Sequence, residues 1–269
     1  MLYLAFLAVF LILWGIFYLA LPALQRGSAV TSRFLAARFQ PYVPIAAVLI
    51  IGGAVAAWAG DQFLDIAEAL HANNARMQDF DALTHAWAIS KRTATDTSFF
   101  VLMSNIGSPV GMMGLAGLAA IVLAIQKKWR WLVYLAVTAV GGGLLNMELK
   151  RFFARARPDV AEMLRQAHGY SFPSGHAMGS TVVLGALSYL AFRTATNWRW
   201  KAACLALAWT LILSIALSRV YLGVHWVTDV AAGIVAGTVW VSATTISYET
   251  VRRYRFVKRS SIRDGARGA

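Results

Sequence analysis

The chain has 269 residues, 59% of them hydrophobic and only 14% charged, with a mean hydropathy of +0.59, a balance that excludes an ordinary soluble domain and describes an integral membrane protein. Its 25 Lys and Arg outnumber 12 Asp and Glu, for a formal charge of +13. The basic residues collect between apolar runs, so the expected partner is the bilayer and no nucleic acid is expected. One cysteine, Cys204, excludes an intramolecular disulfide, a cysteine metal site and a redox pair.

Seven apolar runs are long enough to cross the hydrocarbon as helices of roughly 20 residues: residues 2–24, 43–60, 106–125, 131–147, 176–192, 202–217 and 226–247. The first has no basic leading segment and no small-residue cleavage site, and it exceeds the usual signal-peptide core, so it reads as a transmembrane helix. Arg26, Arg33 and Arg38 follow it. Between the second and third runs lies a polar stretch, 61–105, carrying Asp61, Asp65, Glu68, Asp79, Asp81 and Asp96. Within that stretch Phe80, Leu83, Trp87 and Ile89 predict a helix lying on the membrane interface. Lys127, Lys128 and Arg130 separate the third run from the fourth, whose Gly141, Gly142 and Gly143 suit a close helix crossing. Arg193, Arg199 and Lys201 separate the fifth from the sixth. Arg252, Arg253, Arg255, Lys258 and Arg259 follow the last.

These four basic places alternate with the other connections, so all share one side of the membrane, which the positive-inside rule makes cytoplasmic. Residues 61–105, 148–175 and 218–225 then face outward. The second of these breaks the rule. It holds Lys150, Arg151, Arg155, Arg157 and Arg165 on the side where cations are expected to be few, and an anionic ligand is the simplest reason.

Three outward clusters carry chemistry. In LNMELKRFFARARPDV, Lys150 and Arg157 are two helical turns apart if the helix continues past Met147, and Pro158 sets Arg157 at or just beyond its end. In SFPSGH, Ser174 is a good N-cap, and the amides of Gly175 and His176 are left free at a helix amino terminus, a ready anion site that Gly175 lets a ligand approach. In SRVYLGVHWVTD, His225 and Asp229 are four apart. At helical spacing the carboxylate accepts from Nδ1–H and leaves Nε2 as a free nucleophile, with Arg219 nearby. Taken singly, each has a structural reading: snorkelling cations, a capped helix, a His–Asp pair. Their convergence on one side favours phosphoryl transfer through histidine. Two histidines and an aspartate among three cations make a poor metal site, so neither metal nor cofactor is expected.

In order and spacing, Lys150-RFFARA-Arg157-Pro158, Pro173-Ser174-Gly175-His176 and Ser218-Arg219-VYLGV-His225-WVT-Asp229 resemble the three signature motifs of the type 2 phosphatidic acid phosphatase (PAP2) superfamily. The resemblance covers the chain from about Leu144 to Asp229; the amino-terminal third has no signature. It implies that His225 becomes a phosphohistidine with Asp229 holding its ring. His176 would act as acid and then base, while Lys150, Arg157, Ser174, Gly175 and Arg219 would bind the phosphoryl oxygens. His168 and Tyr170 lie near enough to contribute but receive no role. The implied fold is an all-α, polytopic transmembrane bundle with a six-helix core and one extra amino-terminal helix. The chain divides into residues 1–42, an amino-terminal transmembrane helix and cytoplasmic loop; 43–249, the phosphatase core; and 250–269, a basic cytoplasmic tail.

The expected function is hydrolysis of a membrane lipid phosphate or diphosphate, with undecaprenyl diphosphate and phosphatidylglycerol phosphate as first candidates, at the outer face of the cytoplasmic membrane. A phosphotransferase would use the same site with a lipid hydroxyl as acceptor. A non-catalytic lipid-phosphate binder or transporter would need the cations but has no use for two histidines and a carboxylate.

Overall fold

The protein is described by a computed structural model that covers the backbone of residues 2–39 and 43–265 and the side chains of residues 2, 4–20, 22, 49–159 and 161–255. The side chains of Arg26, Arg33, Arg38, Lys258 and Arg259, counted above among the cytoplasmic charges, lie outside the described residues, as does residue 1. The described residues are helical, without strands, in the order α1 (Leu2–Phe39), α2 (Val43–His71), α3 (Ala75–Ser90), α4 (Ala94–Ile106), α5 (Pro109–Ile125), α6 (Trp129–Phe153), a 3₁₀ turn (Val160–Glu162), α7 (Gly175–Thr194), α8 (Trp198–Tyr221) and α9 (Val227–Gly265).

Five helices are long and apolar enough to span a membrane: the 49–71 part of α2, α6, α7, α8 and the 227–255 part of α9. The run expected at 106–125 corresponds to α5, which together with α4 has the length and apolarity of a sixth, broken span or of a re-entrant pair, bent by 51° where Gly107, Ser108 and Pro109 interrupt the helix and Ser108 Oγ caps α5 by accepting from Gly111 N–H. Asp96, Thr97, Ser98 and Ser104 give α4 the polarity of a loop, and most of it falls in the polar stretch 61–105. Its Ser104 is buried because it serves an arginine, described below. The second run also extends further than expected, to His71, where Phe63 packs against Phe153 and Phe172.

The centre of the bundle is α7, α8 and α9, with α6 and α2 outside them and α1 against α8. In α1, Leu4–Ala20 is an apolar helix, and Tyr18 stacks on Trp198 of α8. The crossing of α7 on α9 runs through Gly233 and Gly237. A Cβ at Gly233 would come within 2.7 Å of the Ser174 carbonyl oxygen, and one at Gly237 within 2.8 Å of Thr181 Cβ. Small residues four apart let two helices close to backbone contact. Of the three glycines expected to serve this purpose, Gly141 and Gly142 face Trp240 and Val182, while Gly143 faces open space.

Helix α3 lies at the end of the bundle where α8 and α9 meet. Phe80, Leu83 and Trp87 are exposed, but Asp81, His85 and Ala88 are buried inward. The helix therefore has a polar buried face, which an interfacial anchor would lack. At the opposite end Lys127, Lys128 and Arg130 lie beside Arg252, and Arg193 reaches Glu249.

Candidate active site

Each of the three motifs ends at the same end of the bundle, but not in the local geometry expected. α6 stops at Phe153, where Ala154 adopts a left-handed conformation (φ 44°) and its N–H closes on the Lys150 carbonyl. Lys150 is therefore on the helix and Arg157 is not. The two meet because residues 154–158 fold back, not because they share a helical face. Both reach the carbonyls of the 168–171 loop. Lys150 Nζ donates to Tyr170 O at 2.7 Å and Ser171 O at 3.3 Å. Arg157 donates to Gly169 O at 2.9 Å, His168 O at 3.1 Å and Tyr170 O at 3.3 Å. His168 and Tyr170 thus enter the site through their backbones.

Ser174 occupies the N-cap position of α7 but does not cap it: its side chain makes no cap hydrogen bond, and Oγ is buried without a protein partner. Its backbone N–H donates instead to Asp229 O at 2.9 Å, joining the starts of α7 and α9. Gly175 faces Asn146 and the Lys150 stem, where a Cβ would lie 3.0 Å from Asn146 Oδ1. His176, in the first turn of α7, lies within electrostatic reach of Lys150, Arg157, Arg219 and His225. Arg219, near the end of α8, is buried. It donates through Nη1 to Ser104 Oγ, and its Nε is buried without a protein partner. A serine hydroxyl and a guanidinium N–H left unpaired inside a protein are costly unless a ligand completes them.

His225 is not on a helix face either. α9 begins at Val227, and His225 sits in the turn before it, which Gly223 enters with φ +75°. Asp229, at the third position of α9, reaches back so that Oδ2 accepts from Trp226 N–H at 2.9 Å, as the acid of a capping box does. The same oxygen lies 3.3 Å from His225 Nδ1. A carboxylate can only accept, so the proton is on Nδ1, and Nε2 presents its lone pair to Arg157 Nη1 at 3.2 Å. Burial lowers the His225 pKa to about 4; Asp229 opposes this, while Arg157 and Arg219 act with burial. The ring is therefore neutral near pH 7, the form in which Nε2 can attack. Burial also lowers the pKa of Arg157, against the pull of Asp229.

Two residues outside the expected set complete the pocket. Arg155 donates to Asp229 Oδ1 at 2.7 Å and to Asp81 Oδ2 at 2.6 Å. Asp81 also accepts from Thr228 N–H and Oγ1, at 3.1 and 2.6 Å. In sequence, Asp81 was one outer acid among six and Arg155 one of five neighbouring cations. That cation cluster divides by partner: Arg151 forms an exposed i,i+3 pair with Glu148 at 2.7 Å and Arg165 donates to Asn105. Only Lys150 and Arg157 turn into the pocket beside Arg219. Among the described residues no three His, Cys, Asp or Glu side chains are placed to hold a metal ion.

Fold and site define a class: a polytopic helical membrane protein with a neutral, carboxylate-backed histidine at one end, facing cations held there by neutral acceptors. Residues 129–253 match the family model of the PAP2 superfamily. The chain is 29% identical over 195 residues to phosphatidylglycerophosphatase B of Bacillus subtilis, covering 72% of this chain and 94% of that protein. Over 81 residues it is 40% identical to an undecaprenyl-diphosphatase of Sulfolobus acidocaldarius, covering 30% of this chain and 34% of that one. The crystal structure of a transmembrane PAP2 type phosphatidylglycerolphosphate phosphatase from Bacillus subtilis aligns with a TM-score of 0.65 at 26% identity, over 71% of this chain and 94% of that one.

Proposed function

We propose that the protein hydrolyses a membrane lipid phosphate or diphosphate through a phosphohistidine on His225. The carrying observation is the fixed tautomer: Asp229 accepts a hydrogen bond from Nδ1–H and leaves the Nε2 lone pair toward the cationic pocket. In the first step Nε2 bonds to phosphorus and the bond to the leaving oxygen breaks, with His176 giving that oxygen a proton. In the second, His176 takes a proton from water, whose oxygen bonds to phosphorus as the N–P bond breaks, releasing inorganic phosphate and restoring both histidines. Lys150, Arg157 and Arg219, with Ser174 Oγ and the Gly175 amide, would hold the phosphoryl oxygens as charge spreads over them. Arg157 rests on the Nε2 lone pair and would turn to the phosphate when substrate arrives.

The pocket lies at helix ends, where a headgroup sits while its tails stay in the bilayer, so a lipid substrate suits it better than a soluble one. Phosphatidylglycerol phosphate is the first candidate, because the Bacillus relative of that specificity aligns along 94% of its length. Undecaprenyl diphosphate is the second. The basic connections support a place in the cytoplasmic membrane with the site outward.

The test is phosphate release from a panel of detergent-solubilised lipid phosphates and diphosphates in excess EDTA. Release that persists in chelator and disappears in His225→Ala supports this reading. Loss in chelator with recovery on adding a divalent ion contradicts it.

A further inference from the structure

We propose that Asp81 and Arg155 are positioning residues for the nucleophile, forming a carboxylate–guanidinium–carboxylate bridge that keeps one uncompensated negative charge behind His225. This rests on the reading of His225 as the phosphoryl acceptor.

The bridge is buried along its length: Asp229 is 0% and Asp81 2% exposed, and the Arg155 side chain is 11% exposed. Arg155 spans the two carboxylates, with Nη1 on Asp229 and also on Thr228 Oγ1 at 2.8 Å, and Nη2 on Asp81. Its guanidinium lies 5.7 Å from the Trp226 ring centroid, and Trp226 is itself held by His85 at 5.4 Å between rings and by Ala156 O. A guanidinium fixed on several sides has little freedom to leave.

Charge accounts for the third member. Arg155 paired with Asp229 alone would be neutral, and a neutral pair gives an imidazolium little support. Asp81 adds a second negative charge, so the triad carries one unit in excess. When Nε2 bonds to phosphorus with Nδ1–H retained, the ring gains one positive charge. The triad's excess matches it in a site whose other charged groups facing His225 are cations: Arg157 from the 154–158 segment and Arg219 from α8, with His176 from α7 beside them. Arg155 occupies Asp229 Oδ1 and leaves Oδ2 for the histidine and the Trp226 amide. The carboxylate therefore cannot rotate without breaking its pair.

The test is a charge cycle read two ways. Asp81→Asn leaves net zero behind His225, and kcat is expected to fall about 10- to 100-fold, the usual cost of losing a partner one shell out, with KM unchanged. Arg155→Met alone strands two buried carboxylates and is expected to fold poorly. The double variant Asp81→Asn/Arg155→Met restores a single negative charge on Asp229 and should exceed Asp81→Asn in kcat. Independently of turnover, the His225 Nδ1–H resonance of ¹⁵N-histidine-labelled protein should move upfield in Asp81→Asn as its hydrogen bond weakens. An unmoved resonance, or a double variant slower than both singles, would overturn the bridge and reduce these residues to fold supports. A resonance that moves in Asp81→Asn while the wild type releases no phosphate from any lipid would instead leave the bridge standing and sink the proposed reaction.

Discussion

Both ends of the bundle gather cations around a buried carboxylate, and they differ in what remains when the carboxylates are satisfied. At the basic end Glu249 receives Arg252 at 2.6 Å, Arg253 at 3.2 Å and Arg193 at 3.6 Å, with the Tyr189 hydroxyl beside them. There the arginines converge on the acid itself. At the other end Arg155 takes Asp81 and Asp229, and Lys150, Arg157 and Arg219 are left with backbone carbonyls, a histidine nitrogen and a serine hydroxyl. Neutral acceptors do not discharge a cation. A cluster whose cations converge on their acid holds helices together, and one with cations to spare awaits an anion. Counting arginines does not separate the two, but tracing their partners does.

The comparison breaks first at His225. Replacing it with alanine should lower phosphate release at least ~10³-fold with an unchanged thermal transition in detergent; activity near wild type would remove that end's claim to chemistry. Next, Arg157→Lys keeps the charge but loses the planar fork, and kcat/KM for lipid phosphate should drop about 10²-fold. Equal activity would mean that Arg157 only ties down the 168–171 loop.

At the other end, Glu249→Gln should cost about 1–3 kcal/mol of stability, toward the lower side because its arginine partners are partly exposed, with turnover per folded molecule unchanged. A kcat effect there would erase the distinction between the ends. The pH profile sharpens it further. The attacking form of His225 is the neutral one, present above its pKa and lost below it. Since that pKa is pushed from 6.5 to about 4, the acid limb belonging to His225 should fall near pH 4 and stay there in Glu249→Gln. A limb at the ordinary imidazole value would show a solvated ring. Finally, sidedness is read by cysteine labelling in a Cys204→Ser background. The exposed Gln166→Cys should react with an impermeant thiol reagent in intact spheroplasts, and the exposed Thr196→Cys, in the α7–α8 turn, only after permeabilisation. The reverse pattern would turn the site toward the cytoplasm.

Residues that act through short sequence spacing were legible in advance. Ser174, Gly175 and His176 at one helix start, and His225 with Asp229, appear where their motifs put them, although His225 lies in a turn and not on the helix. What depended on tertiary approach was hidden. Asp81 lies 74 positions from Arg155, and nothing local separates it from the five other acids of its stretch. Its only available sign was its place on the side of α3 opposite the exposed apolar residues. α4 escaped because its Ser and Thr look like loop residues until Ser104 is seen to serve Arg219. The close α7–α9 crossing was written as Gly233-x-x-x-Gly237, a pattern outweighed by the more conspicuous glycine triplet at 141–143.

The central claim is that the phosphoryl group passes through Nε2 of His225. Rapid quenching of the wild-type protein with radiolabelled lipid phosphate, followed by peptide mapping, tests it directly. The account predicts an acid-labile, base-stable label on the peptide containing His225, absent in His225→Ala. Label on any other residue, or single-turnover release of phosphate with no labelled protein at any time point, would contradict it.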